Sequence, residues 1–197
     1  RNISDEDAAV IAARSDIDAV VAYDVLNYRG DQGYTLNGTE TLICGSDEGL
    51  FTQILSDIIA EGNFPQNDNE AMVSVNAKEM IGLSIGDQIA VNLPDGTELA
   101  FTISGFVENT ANLMSSDSYG VFITTEKYRT ITSAAADGES SENNTFFYVQ
   151  FSNTGNIQNR ISELKSQFGL SDEQVSENTK LLGLLGQSSD SFMMQVY

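Results

Sequence analysis

The sequence predicts an α+β fold in which a discontinuous main α/β subdomain is interrupted by a small β-rich subdomain. Three observations carry that reading. Residues 69–109 form a self-contained β unit closed by a hairpin. A helix, three meandering strands and a second helix precede it. Strands and helices then alternate to the end, as a returning half must if it is to complete a sheet begun earlier. The expected division is residues 1–62 with 119–197 for the main subdomain, and 63–118 for the insertion.

The chain opens with Asp5, Glu6 and Asp7 behind Ser4. An N-cap followed by acids in the first turn complements a helix dipole, and the helix is expected to run to about Ala13. Residues 19–29 carry Val20, Val21, Tyr23, Val25, Leu26 and Tyr28, a composition suited to a strand. A turn at residues 30–33 leads to a short strand at 34–36. Asn37-Gly38 then supplies a hairpin turn of the kind that needs positive φ, before a strand at 39–44. Leu50, Ile54, Leu55, Ile58 and Ile59 recur at helical spacing, so residues 50–60 are expected to be helical and Glu61-Gly62 to end the helix.

The central unit begins with a short strand at 71–75, a turn or so of helix at 76–81 and a tight corner at 82–87. Two strands follow, 88–93 and 98–107, joined by Pro94-Asp95-Gly96. Proline presets φ for the first turn position, while aspartate and glycine tolerate the return. Ile89, Val91 and Leu93 share one face, as do Leu99, Phe101, Ile103 and Gly105 of the partner.

A polar connection with Leu113-Met114 at its centre leads into a strand at 119–124 and a helix at 126–135, with Tyr128 and Ile131 inward. Residues 137–144 (DGESSENN) are an acidic, low-complexity loop. A largely apolar strand, 145–151, precedes a helix at 156–168 whose Ile157, Ile161, Leu164 and Phe168 fall on one face and which Gly169 stops. An extended segment around Val175 and an apolar end follow. No fixed-period repeat is present.

The totals restrict the function. Twenty-nine acidic against nine basic residues in 197 give a formal charge of −20. Such a surface repels phosphates, so nucleic acid and anionic headgroups are poor partners and a cationic one is better suited. With 41% hydrophobic residues the chain has the means to build a core. No apolar run approaches the ~18–20 residues needed to cross a bilayer, and no signal peptide is visible. The missing initial methionine and the apolar end, Phe192 to Tyr197, suggest a segment of a longer protein.

Catalytic chemistry finds little support. Gly82-Leu83-Ser84-Ile85-Gly86 matches G-x-S-x-G, but a hydrolase elbow needs a strand-to-helix turn and a histidine to take the serine proton. Here the order is helix into strand, and the chain has no histidine. That absence also removes the commonest general base and transition-metal ligand. The single cysteine, Cys44, is expected to be a buried small hydrophobe. Gly183-Leu184-Leu185-Gly186 lacks the lysine of a phosphate loop. A carboxylate-based glycosidase would need a defined acid pair, and none stands out. Two oxygen-rich clusters, Ser46-Asp47-Glu48 and Asn67-Asp68-Asn69-Glu70, lack the spacing of an EF-hand loop. Asn2, Asn37 and Asn143 head N-x-S/T sequons of the number that chance supplies. The adjacent Phe146, Phe147 and Tyr148, and Leu113-Met114, are candidate contact residues or simply core. No catalytic, cofactor or metal residue is assigned.

The order N-E-x-x-V-S (Asn69 to Ser74), short helix, G-L-x-I-G-D (Gly82 to Asp87), hairpin, F-T-I-x-G-F-V (Phe101 to Val107) resembles the MacB-like periplasmic or extracellular core domain of FtsX-family ABC transporter permeases. The helix exit E-G-x-F-P, Glu61 to Pro65, fits the same plan, and the resemblance covers nearly the whole chain. It implies a porter-like subdomain (1–62 and 119–197) and an inserted blade-like one (63–118), with the chain end leading to a membrane helix. It also implies a permease dimer, a cytoplasmic ABC ATPase subunit, and a non-catalytic domain outside the membrane. That domain would couple ATP hydrolysis to a peptide or lipid-linked substrate, or to a cell-wall partner. The competing reading is a freestanding secreted binding or adhesion module for cationic peptides.

Overall fold

The computed structural model describes residues 5–46, 59–108, 118–135, 143–151, 157–170, 175–177 and 192–196. The chain separates into two compact units, residues 1–22 with 145–197, and residues 23–144. Packing thus divides it at 22/23 and 144/145.

The central unit is a closed barrel. Its elements are the second part of β1 (Ile17–Leu26), then β2 (Thr35–Leu36), β3 (Thr39–Ser46), β4 (Ile59–Gly62), β5 (Glu70–Ser74), α2 (Val75–Ile81), β6 (Gln88–Asn92), β7 (Glu98–Val107), β8 (Tyr119–Thr124) and α3 (Thr125–Ala135). Strands pair in the order β3-β2-β6-β7-β5-β8, and β8 returns to β3 in parallel, Thr41↔Tyr119 through Ser46↔Thr124. This closes a six-stranded circuit without an open edge. The last four residues of β1 pair with the end of β3, Tyr23↔Ser46 to Leu26↔Ile43, and β4 adds to β7.

Alternation explains the filling. Leu36, Ile89, Val91, Phe101, Ile103 and Val121 belong to one buried cluster. Leu42, Cys44, Met72 and Phe122, at alternating positions, are buried as well. β8 reads YGVFIT and is buried at every position, as befits a strand flanked by β3 and β5. β5 and β8 share a ladder, Met72↔Phe122 and Val73↔Val121.

The local turn chemistry operates as expected. Asn37 (φ 52) and Gly38 (φ 81) make the β2–β3 turn. In the PDG turn, Leu93 donates to the Thr97 carbonyl at 2.8 Å, and the Asp95 carboxylate accepts the Thr97 N–H at 2.8 Å. That acceptance, with the Thr97 side-chain hydrogen bond, holds the Asp95 carboxyl below the ordinary aspartate range.

The other unit contains α1 (Asp5–Ala12), the first part of β1, β9 (Asn143–Phe151) from residue 145 on, α4 (Ile157–Phe168), β10 (Val175–Glu177) and β11 (Phe192–Val196). Its strand order is β10-β11-β9-β1. Ile11, Ile17, Phe147, Val149, Ile161 and Leu164 form its core. Gly169 (φ 65) ends α4, and the Leu170 N–H closes back on the Lys165 carbonyl at 2.9 Å.

Two expectations need correction. Ile59 and Ala60 are not the end of a helix; they open strand β4, which pairs with β7. Residues 50–58 of that expected helix lie outside the described residues. The apolar Phe192–Val196 is a strand, with Phe192↔Phe151 and Val196↔Phe147 on β9, where no strand was anticipated. Ser4, Leu113-Met114, residues 137–142 and Leu181–Gly186 also lie outside the described residues.

Candidate functional site

The motif residues that suggested a family turn out to be joints. Asn69 offers its carbonyl to the Thr102 N–H at 2.8 Å, and Glu70 Oε1 accepts the Gln66 N–H at 3.0 Å. Ser74, fully buried, accepts the Gly120 N–H on its Oγ at 2.9 Å. Asn76 accepts the Ala77 N–H at 2.8 Å and donates to the Ser118 carbonyl at 2.9 Å. The N-E-x-x-V-S run therefore ties β5 to β7 and β8.

The G-L-x-I-G-D corner is equally determined. Gly82 sits in the left-handed region (φ 82, ψ 47), and both its N–H and that of Leu83 close on the Lys78 carbonyl. Gly86 (φ 91) donates to Ile103, and Ile103 donates to Asp87, each at 2.9 Å. Ser84 lies exposed between helix and strand, its N–H capped by the Asp87 carboxylate at 2.9 Å. Its surroundings match the sequence reading of a structural turn.

Cys44 is wholly buried in β3, and burial, with the charge of Asp24, pushes its thiol well above the ordinary value. It is held as the thiol, the unreactive form. Of the Asn67–Glu70 carboxylates, Glu70 accepts the Gln66 N–H within the loop, and Asp68 accepts Thr124 Oγ1 at the end of β8 at 2.6 Å. Asp47 and Glu48 lie outside the described residues, among which no group of three or more His, Cys, Asp or Glu is arranged to hold a metal. Phe147 is buried; the side chains of Phe146 and Tyr148 lie outside the description.

Sequence reasoning missed two features. The first is an ionic recess lined by Arg14, Ser15, Asp16, Asn159, Arg160 and Glu163. Arg14 donates from Nε and Nη2 to the two Asp16 oxygens, both at 2.9 Å. Arg160 Nη1 lies 3.2 Å from the same carboxylate, and Glu163 Oε2 lies 3.3 Å from Arg14. The Arg14 hydrogen bonds hold the Asp16 carboxyl below its ordinary value, against a smaller opposing effect of burial. Two guanidinium groups here meet two carboxylates, so the cluster compensates itself. No local pattern in the sequence marked it, since Arg14 and Glu163 are 149 residues apart.

The second feature is apolar. Met80 is 77% exposed at the end of α2 and Ile85 49% exposed in the corner that follows. Apolar periodicity could not have found them, because Met80 stands off the buried face of α2 carried by Ala77 and Ile85 lies in the turn beyond the helix.

Comparison with protein families matches residues 1–166 to the MacB-like periplasmic core domain. The chain belongs to that family. MacB-like periplasmic core domains are non-catalytic modules of transporter permeases, so the chain is a periplasmic or extracellular domain of a MacB/FtsX-like permease. Comparison with curated proteins returns no match. Among solved structures, the chain is similar to a domain assigned to a permease protein of Porphyromonas gingivalis. Identity is 10%, the likeness covers 94% of this chain and 79% of the other, and the TM-score is 0.43, too loose to carry an argument. Among the described residues, no helix is long and apolar enough to cross a membrane.

Proposed function

We propose that this chain is the outward-facing, non-catalytic part through which an FtsX/MacB-like ABC permease converts ATP hydrolysis into work outside the membrane. That work is the movement or export of a peptide or lipid-linked substrate, or the control of an extracellular partner. The observation that carries the reading is the family match across residues 1–166. The use of the motif residues as joints supports it, since a domain that transmits motion needs a stiff frame. In this reading the parent is a dimer at the outer face of a bacterial cell membrane, and a separate cytoplasmic subunit binds the nucleotide. Residues 1–62 with 119–197 would be the porter-like part and 63–118 the blade-like part.

Purification of the parent protein from membranes tests this. An ATPase subunit should co-purify, and replacing residues 1–197 by a short linker should abolish transport while ATP turnover persists. Isolation without any ATPase would count against it.

A further inference from the structure

Charge compensation in the ionic recess is uneven. Its inner part holds Arg14, Arg160 and Asp16, whose side chains are 21%, 24% and 15% exposed. Glu163 is 67% exposed and meets Arg14 through one contact at 3.3 Å. Asp16 is occupied by Arg14, which takes both of its oxygens. Arg160 is left to share Oδ2 at 3.2 Å, and its buried Nη1 makes no hydrogen bond there. The inner part thus sets two positive charges against one negative, with one guanidinium poorly used.

A guanidinium partly withdrawn from water without a well-aligned acceptor forgoes the strong hydrogen bonds it is built to make. The one carboxylate that offsets the surplus charge, Glu163, is exposed and loosely held, so its pairing contributes little and is readily exchanged. The surplus selects the ligand. One net positive charge on planar, forked donors matches a planar monoanion, and both acids already in contact with Arg14 are carboxylates. A dianionic phosphate would overfill the site in a chain of net charge −20. Ser15 and Asn159 complete the lining of a recess of about 610 Å³ that opens to solvent. Asn159 and Arg160 stand in the first turn of α4, at the positive end of its dipole.

We propose that Arg14 and Arg160 form a binding site for the carboxylate group of a ligand, which displaces Glu163 and takes the acceptor position that Asp16 fills poorly for Arg160. The carboxylate belongs to a small organic acid or to the C-terminal end of a polypeptide. The inference does not depend on the permease reading.

The test is an NMR titration of the isotope-labelled 197-residue chain at neutral pH and constant ionic strength, following the arginine Nε–H signals. The probes are N-acetyl-dialanine with its terminal carboxylate, the corresponding amide, and acetate. The carboxylate peptide should shift the Arg14 and Arg160 signals saturably, and the amide should leave them in place. Glu163→Gln, which removes the internal competitor at an exposed position, should tighten binding about two- to fivefold, the weight of an exposed ion pair. Glu98→Gln makes the same change in net charge on β7 and should leave the affinity unaltered, whereas Arg160→Gln should abolish binding. Acetate binding as tightly as the peptide identifies a small acid as the source; tighter binding of the peptide identifies a chain end. The absence of a saturable shift, equal shifts with peptide and amide, or a Glu163→Gln chain that binds no more tightly than Glu98→Gln would overturn the proposal.

Discussion

Gly45 lies flat against the ring of Tyr128: a Cβ on Gly45 would stand 2.4 Å from both Cβ and Cγ of the tyrosine. No backbone angle demands glycine there; the close approach of α3 to β3 does. The contact sits on the barrel's parallel β3–β8 ladder, where Gly45 pairs with Ile123. Gly45→Ala should therefore force α3 outward and destabilise the barrel by about 1–3 kcal/mol. Urea unfolding measures it, and the cost should shrink in a Tyr128→Gly background, which removes both the Cβ and the ring that the added methyl would meet.

A buried asparagine organises the β1–β2 connection. Asn27 (φ 60) is 1% exposed; its Nδ2 faces Glu40 Oε2 at 2.7 Å, the Thr41 carbonyl at 3.0 Å and the Tyr34 carbonyl at 3.2 Å. Its Oδ1 accepts the Gln32 N–H at 2.9 Å. Asn27→Asp replaces the donor with a second carboxylate and should cost about 3 kcal/mol or more near neutral pH. The new acid would have a raised pKa in the folded state. The deficit should therefore persist above that pKa and diminish as pH falls through it, which thermal unfolding across a pH series would reveal.

The Arg14–Asp16 pair carries the opposite dependence. Because the folded-state pKa of Asp16 is depressed, its contribution is fully present above the ordinary value of 3.8 and is lost as pH falls through the lower folded value. Asp16→Asn should remove about 1–3 kcal/mol at neutral pH. It should also narrow the gap to the parent chain at the acid end, read from unfolding midpoints of both proteins over the same pH series.

A net charge of −20 makes the folded chain repel itself. Raising sodium chloride from 10 to 150 mM, which shortens the screening length from about 30 to about 8 Å, should raise the unfolding temperature. Calorimetry at fixed pH checks the sign. A midpoint that falls with salt would mean that the Arg14–Asp16 and Lys78–Glu61 pairs outweigh the general repulsion.

Local chemistry made some elements legible and left others hidden. The β6–β7 hairpin could be read because alternation and the PDG turn lie within twenty or so residues of one another, on a period-2 pattern. Asn37-Gly38 spoke equally plainly. β4 could not be read, because Ile59 and Ala60 continue a helical apolar spacing and Gly62 resembles a helix stop. Its strand state comes from β7, where Gly62 faces Gly105 and a Cβ on Gly62 would stand 2.2 Å from the Ser104 carbonyl oxygen. β11 has no alternation, and its partner β9 lies far back in the chain. The ionic recess was invisible for the same reason, since Arg14 and Glu163 are 149 residues apart. The family motif was visible because most of its residues are joints between neighbouring elements; the exposure of Met80 was not, because nothing in a single sequence marks which apolar residue is left in water.

The most direct test of the central claim is the parent reading frame on both sides of Arg1 and Tyr197. The permease reading predicts a ~20-residue apolar helix close to each end, with two more further downstream. A secretion signal upstream together with a stop codon or wall anchor downstream would contradict it, and the acidic surface would then be the binding face of a secreted protein.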